Sequence, residues 1–166
     1  MGESFALLAE YPPLLLVVVG LFGLAVGSFL NVVVFRLPVM MERDWRQQCR
    51  ELLELPAEPS EPAVFNLVRP DSRCPHCGHA IRAWENIPVV SWLFLRGRCS
   101  ACRAPISMRY PLVESATALL SVAVAAHFGF SAQTLAALPL TWGLIALCLI
   151  DYDHKLLPDD IVLPLL

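Results

Sequence analysis

Charge is scarce in this chain. Asp, Glu, Lys and Arg make up 16% of its 166 residues, where soluble domains carry about 25%. Hydrophobic residues make up 57%, and the mean hydropathy is +0.60. An ordinary soluble globule does not fit. Extended disorder is excluded too, because disorder needs low hydrophobicity and high net charge. Basic residues are missing from both flanks: no Lys or Arg precedes Arg36, and only Lys155 follows Arg109, so 11 of the 12 lie between Arg36 and Arg109. The net charge of −3 conceals this arrangement of apolar flanks around a basic centre. Nucleotide-binding glycine patterns are also absent, so no nucleotide-type contact follows from the residues.

What is present reads first as membrane. Leu14 to Phe35 is 22 residues without a charge, with Ser28 and Asn31 its only polar side chains, and about 20 apolar residues cross the hydrocarbon core. A signal peptide is the competing reading. It fits poorly, because Glu3 and Glu10 precede the run without a basic residue and no small-residue cleavage pattern follows. Leu112–Phe130 and Thr134–Ile150 are two further apolar stretches joined by a short turn, Gly129 to Gln133, so they read as a helical hairpin. The alternative, core helices of a soluble domain, leaves too little chain to cover three such stretches. The Arg-rich segment faces the cytoplasm by the positive-inside rule. The N-terminus and the Phe130 turn then lie on the other side. Ile161 to Leu166 opens a fourth apolar run, and free backbone groups in lipid go unsatisfied, so the natural protein is expected to continue. The expected division is span 14–35, loop domain 36–110, spans 112–130 and 134–150, loop 151–160, and the start of a truncated span at 161–166.

Within the central segment, Val39 to Leu55 reads as a separate helix, with Met41, Trp45, Cys49, Leu52 and Leu53 at helical spacing. It either lies on the bilayer or packs on the loop, and Pro56 ends it. The acidic, Pro-rich linker Pro56 to Pro62 follows. Then come Cys74-Pro-His-Cys77-Gly and Cys99-Ser-Ala-Cys102, two C-x2-C pairs separated by 21 residues. Zinc takes four thiolates tetrahedrally, and one tight turn of this spacing supplies two of them. Disulfides or redox pairs are the competing reading, disfavoured because cytoplasmic thiols stay reduced. Cys74, Cys77, Cys99 and Cys102 are the expected ligands of a closed, structural zinc site. His76 and His79 read as solvent-facing neighbours, and Cys148 as a buried apolar residue. Ile81 to Phe94 reads as short strands and turns. Arg96, Arg98, Arg103 and Arg109 suit lipid headgroups better than nucleic acid, and no nucleic-acid partner is expected.

Four acids, Asp151, Asp153, Asp159 and Asp160, follow the third apolar run directly. Acids at a span end are caps or functional groups. Two carboxyls sharing one proton can activate water against a peptide bond, but only one half of such a dyad is visible. Residue chemistry alone leaves catalysis level with capping or metal binding. Glu114 reads as a structural partner of Arg109 or Arg36, and Asn31 and Ser28 as bonds between helices.

Taken in order, several segments resemble one family. They are Gly27-Ser28-Phe29-Leu30-Asn31-Val32-Val33 running to Arg36-Leu37-Pro38, the double C-x2-C, and Glu85-Asn86-Ile87-Pro88. Arg109-Tyr110-Pro111-Leu112-Val113-Glu114 follows, then Asp151-Tyr152-Asp153 leading to Leu157-Pro158-Asp159. Over essentially its whole length the chain resembles the N-terminal part of type IV prepilin peptidases, bifunctional leader peptidases and N-methyltransferases. The resemblance implies a mostly α, polytopic protein of the bacterial inner membrane with a cytoplasmic zinc-binding loop. It implies an aspartic endopeptidase whose first catalytic aspartate is Asp151. The second lies in a G-x-G-D motif that these residues lack, so the chain alone is expected to be inactive. Substrates would be prepilins or type II secretion pseudopilins, cut at the cytoplasmic face and then N-methylated from S-adenosylmethionine. Gly97 matches a loop glycine associated with methyl transfer, although residue chemistry alone makes it a turn glycine. Membrane lipid is the other expected partner. The competing function is a zinc-stabilised membrane adaptor without catalysis.

Overall fold

A computed structural model describes residues 8–55 and 65–166, and among these the chain is mostly helical, with no strands. Helix α1 spans Pro12–Leu52. A short 3-10 turn at Ala83–Asn86 and the five-residue helix α2, Val90–Phe94, follow in the loop. Helices α3, Arg109–Phe128, and α4, Ala132–His154, form a hairpin, and α5 covers Asp159–Leu165. Helices α1, α3 and α4 are long and apolar enough to cross a membrane.

Prolines open α1 at its first positions, where their missing N–H costs nothing. The expected separation of a span from a second helix at Val39 is not observed: α1 runs unbroken for 41 residues through Pro38 and stops at Leu52. Packing holds the two sides of Pro38 in line. Leu30, Val33, Val34 and Leu37 bury against Ala146 and Ile150 of α4, and Met41, Leu156 and Ile161 extend that cluster past the proline. At about 1.5 Å per residue, α1 is roughly twice as long as the hydrocarbon core is thick.

Small residues set the α1–α3 contact. A Cβ built on Gly27 falls 2.7 Å from the Glu114 Cα, and one on Gly23 falls 2.8 Å from the Ala118 Cα. The backbones therefore approach as closely as in small-residue membrane interfaces. The hydroxyls buried there satisfy themselves along α3: Thr117 donates to Val113 O at 2.8 Å and Ser121 to Thr117 O at 2.7 Å. Trp142 Nε1 of α4 donates to Ser121 Oγ at 2.9 Å and ties the third helix in.

The hairpin turn is tighter than expected. Gly129, at φ +62°, closes α3, and the Ser131 hydroxyl caps α4 by accepting from Thr134 N. Helix α4 runs four residues past Ile150 before Lys155 ends it in the left-handed conformation. Asp151 therefore sits in the last turn of α4, not in a loop. Pro158 separates α4 from α5. Cys148, expected to be buried, is exposed on the outer side of α4. The linker expected at Pro56 to Pro62 lies outside the described residues.

Candidate metal centre and the adjoining aspartates

The two C-x2-C segments fold into matching turns. In the first, Gly78 N donates to Cys74 O and Cys74 N to His79 O, both at 2.9 Å. In the second, Arg103 N donates to Cys99 O at 3.0 Å and Cys99 N to Ala104 O at 2.9 Å. Isolated bridges Arg73–Ala80 and Arg98–Pro105 close each turn. Gly78 takes φ +71° four residues after Cys74, and Arg103 takes φ +60° four residues after Cys99. Glycine signals that position in the first turn. In the second an arginine is held there, at a backbone cost of about 1–2 kcal/mol.

These turns bring the thiols of Cys74, Cys77, Cys99 and Cys102 within 4.8 Å of one another, a group that could hold a metal ion. Sulfurs bound tetrahedrally at about 2.3 Å stand roughly 3.8 Å apart. The Cys74–Cys102 and Cys77–Cys99 sulfurs are 3.8 Å and 4.0 Å apart, close to that spacing, so a four-thiolate donor set suits zinc. Backbone N–H groups of Cys77 and His76 lower the Cys74 thiol to about 7. Cys77 also receives an N–H from His79, but desolvation and the neighbouring thiols outweigh it and push the Cys77 thiol up to about 12. The metal-free cluster thus holds protons that zinc would displace.

The segment between the turns carries no strand. Glu85, its side chain 5% exposed, accepts from Arg82 N at 2.8 Å, and this bond, Ser100 and His79 hold its carboxyl below the usual range. His79 Nε2 lies 3.2 Å from Glu85 and 3.3 Å from Ser100 Oγ. His79 is therefore a cross-brace between the two turns, where the sequence suggested a solvent-facing neighbour. Its spacing from Glu85 was the only available signal. Gly97 has φ +65°, and a Cβ on it would fall 2.7 Å from Trp92 Cζ2. Trp92 Nε1 donates to Ile106 O at 3.2 Å, and Ile106 N donates to Gly97 O at 2.7 Å. The space above Gly97 is filled by the indole.

Two polar contacts fasten this module to the long helices, and neither is the expected Glu114–arginine pair. Glu114 is buried in α3 and accepts from Val89 N at 2.7 Å. Val89 adopts φ +60°, a strained conformation for a β-branched residue. Arg36, buried in α1, donates to Asn66 O at 3.0 Å and Pro70 O at 2.7 Å. Asn31 does bond between helices, reaching Tyr110 O at 3.3 Å.

At the same end of the bundle, Arg109 grips Asp153 with both guanidinium nitrogens, at 3.0 Å and 2.5 Å. This pair joins the start of α3 to the end of α4. Asp151 is exposed. A groove of about 310 Å³ beside α5 is lined by Met41, Asp44, Trp45 and Gln48 of α1 and by Leu156, Leu157, Asp159 and Asp160.

Comparison with known proteins follows the same outline. No solved structure matches. A protein of Stutzerimonas stutzeri named prepilin leader peptidase/N-methyltransferase is 69% identical over 144 residues, covering 87% of this chain and 50% of that protein. Proteins of the same name from Pseudomonas aeruginosa and Legionella pneumophila are 62% and 49% identical. They cover 96% and 97% of this chain, and 54% and 56% of their own lengths. The chain spans about half the length of these relatives. The family model described as "Bacterial Peptidase A24 N-terminal domain" matches residues 21–128, from the glycine-lined half of α1 through the four-cysteine module to the end of α3, and the chain belongs to that family.

Proposed function

We propose that this chain forms the zinc-bearing half of a membrane-embedded prepilin leader peptidase and N-methyltransferase, with Asp151 one of two catalytic carboxyls. The observation that carries this reading is the Arg109–Asp153 pair at the bundle end bearing the four-cysteine module. Asp153 is engaged in that pair, so of the two aspartates that end α4, Asp151, which is exposed, is the one left to face a substrate. In the relatives' full length a second aspartate, from a G-x-G-D segment, would share a proton with Asp151. One carboxylate then takes a proton from the attacking water, and the other gives one to the leaving amine. By this reading the chain does not cleave alone. The substrate is a prepilin or pseudopilin whose leader crosses the cytoplasmic face of the inner membrane. The charge bias of the zinc module's basic residues supports that orientation.

Zinc in the four-cysteine cluster is closed by its four thiolates and acts as scaffold. S-adenosylmethionine would supply the methyl group for the cleaved N-terminus. Gly97 serves that activity indirectly, by letting Trp92 pack and hold the second cysteine turn.

The test is Asp151→Asn in the full-length protein, reconstituted with a prepilin. Leader cleavage is expected to fall by about 10²–10⁴-fold, the range for loss of a general acid–base. Methylation of a pre-cleaved substrate should be retained. Unchanged cleavage would exclude the catalytic role and leave a zinc-stabilised adaptor.

A further inference from the structure

The zinc module carries an apolar face that no described residue covers. Ile87, Val90, Leu93 and Phe94 recur at three- and four-residue intervals through α2 and are all exposed, Leu93 by 61% and Phe94 by 82%. Arg96, Arg98 and Arg103 follow directly and, with Phe94 and Leu95, line a shallow groove of about 470 Å³. Large apolar side chains flanked by arginines are the composition of an interfacial element, one that seats its apolar face at the acyl boundary and its cations among headgroups.

Composition alone does not place this face at a membrane; the Glu114–Val89 bond does. The 20 residues of α3 rise to a length of about 30 Å, the thickness of the hydrocarbon core. Arg109, its first residue, then stands near the core boundary, and Glu114 lies roughly 7 Å further along the axis. Side chains on a helix lean back toward its N-terminus, so the Glu114 carboxylate meets Val89 N–H close to that boundary. Helix α2 starts at the next residue, Val90. Ile106, three residues before α3, is bonded to both Gly97 and Trp92 and holds the far end of the segment at the same level.

We propose that residues 87–103 form a foot that inserts Leu93 and Phe94 into the headgroup region of an anionic leaflet, with Arg96, Arg98 and Arg103 on lipid phosphates. Charge decides the occupant. Residues 87–103 carry three arginines and no acid, and the cytoplasmic leaflet is the negatively charged surface at that depth. The foot depends on the membrane-spanning helices and not on the peptidase reading, and its test involves no catalysis.

The experiment places photoreactive benzoylphenylalanine at position 94 of the whole chain, in nanodiscs of equal phosphatidylglycerol and phosphatidylcholine. After irradiation, intact-mass analysis is expected to show adducts of one phospholipid, with phosphatidylglycerol enriched over its half share. The pair Arg96→Gln and Arg98→Gln should return the adduct ratio toward one to one while lipid adducts persist. Zinc content, measured alongside, separates loss of the module from loss of the contact. Arg96→Gln alone, three residues from the nearest cysteine, repeats the measurement with less risk to the metal. Adducts to protein, or no adduct, would overturn the foot. An unchanged lipid ratio with zinc intact would overturn the headgroup contact.

Discussion

Glu114 joins the zinc module to the transmembrane helices through one buried carboxylate. It lies on the face of α3 that Gly27 approaches, and it accepts the N–H of a residue 25 positions earlier. Losing the acceptor strands that N–H, a loss worth about 1–3 kcal/mol for a buried donor. Glu114→Ala is therefore expected to lower the thermal unfolding midpoint in detergent, while Glu114→Gln, which keeps a carbonyl acceptor, should lie near the parent protein. Equal loss in both variants would show that the charge, not the hydrogen bond, matters. At this scale the chain was partly legible. The four cysteines could be picked out because C-x2-C is a local spacing. The partners of Glu114, Arg109 and Arg36 could not, because a carboxylate and a guanidinium carry no information about which distant backbone or side chain they will meet. Of these, Arg36 turned to carbonyls of the loop and Arg109 to Asp153.

Among the elements, α1 and the cysteine turns respond to different disruptions. The α1–α3 contact depends on glycine, since a Cβ on Gly27 would meet the backbone of α3. Gly27→Leu must push the helices apart, and overpacking of this kind costs about 1–3 kcal/mol. A lowered midpoint in thermal unfolding, with helical content by circular dichroism unchanged, is the expected result. The cysteine turns, which could hold a metal ion, are expected to depend on zinc instead. Their ligands must be thiolates, so protons compete with the metal. Desolvation and the neighbouring thiols push the Cys77 thiol up, which favours the proton over the metal as pH falls. Zinc should be held at neutral pH and released as pH falls, more readily in the presence of a chelator. Trypsin cleavage at Arg96, Arg98 and Arg103 should rise in step, measured against released zinc. Retention of metal at about pH 4 would argue against a thiolate site. Element boundaries were where the sequence misled. The helical spacing from Val39 suggested a separate helix, yet packing on Ile150 and Leu156 carries α1 through Pro38. The aromatic, β-branched run before Arg96 suggested strands, yet it forms a turn and a short helix.

For the molecule as a whole, the Arg109–Asp153 pair requires the start of α3 and the end of α4 to share one side of the bilayer. By the positive-inside rule that side is expected to be the cytoplasmic one. Single cysteines introduced at Ser107 and at Gln133, in a background where the exposed Cys49 and Cys148 are serine, should react differently with an impermeant thiol reagent in intact cells. Gln133 in the α3–α4 turn is expected to be labelled from outside and Ser107 only after permeabilisation. The reverse pattern would invert the topology. The ion pair itself is part-exposed, and such pairs contribute at most about 1 kcal/mol. Its role is to position the helix ends rather than to hold the fold together.

By itself, the sequence determined that three stretches are apolar and long enough to cross a membrane, that the basic residues gather between the first and the second, and that four cysteines can share an ion. Each of these rests on a pattern that repeats within a few residues or on composition. Only the tertiary structure decided that α1 continues through Pro38, that Trp92 fills the space above Gly97, and that Asp153 is taken by Arg109 while Asp151 is exposed. Those outcomes depend on which faces of separate helices meet. That meeting is governed by close backbone approach at Gly23 and Gly27 and by buried polar groups that must find a partner wherever the packing places one.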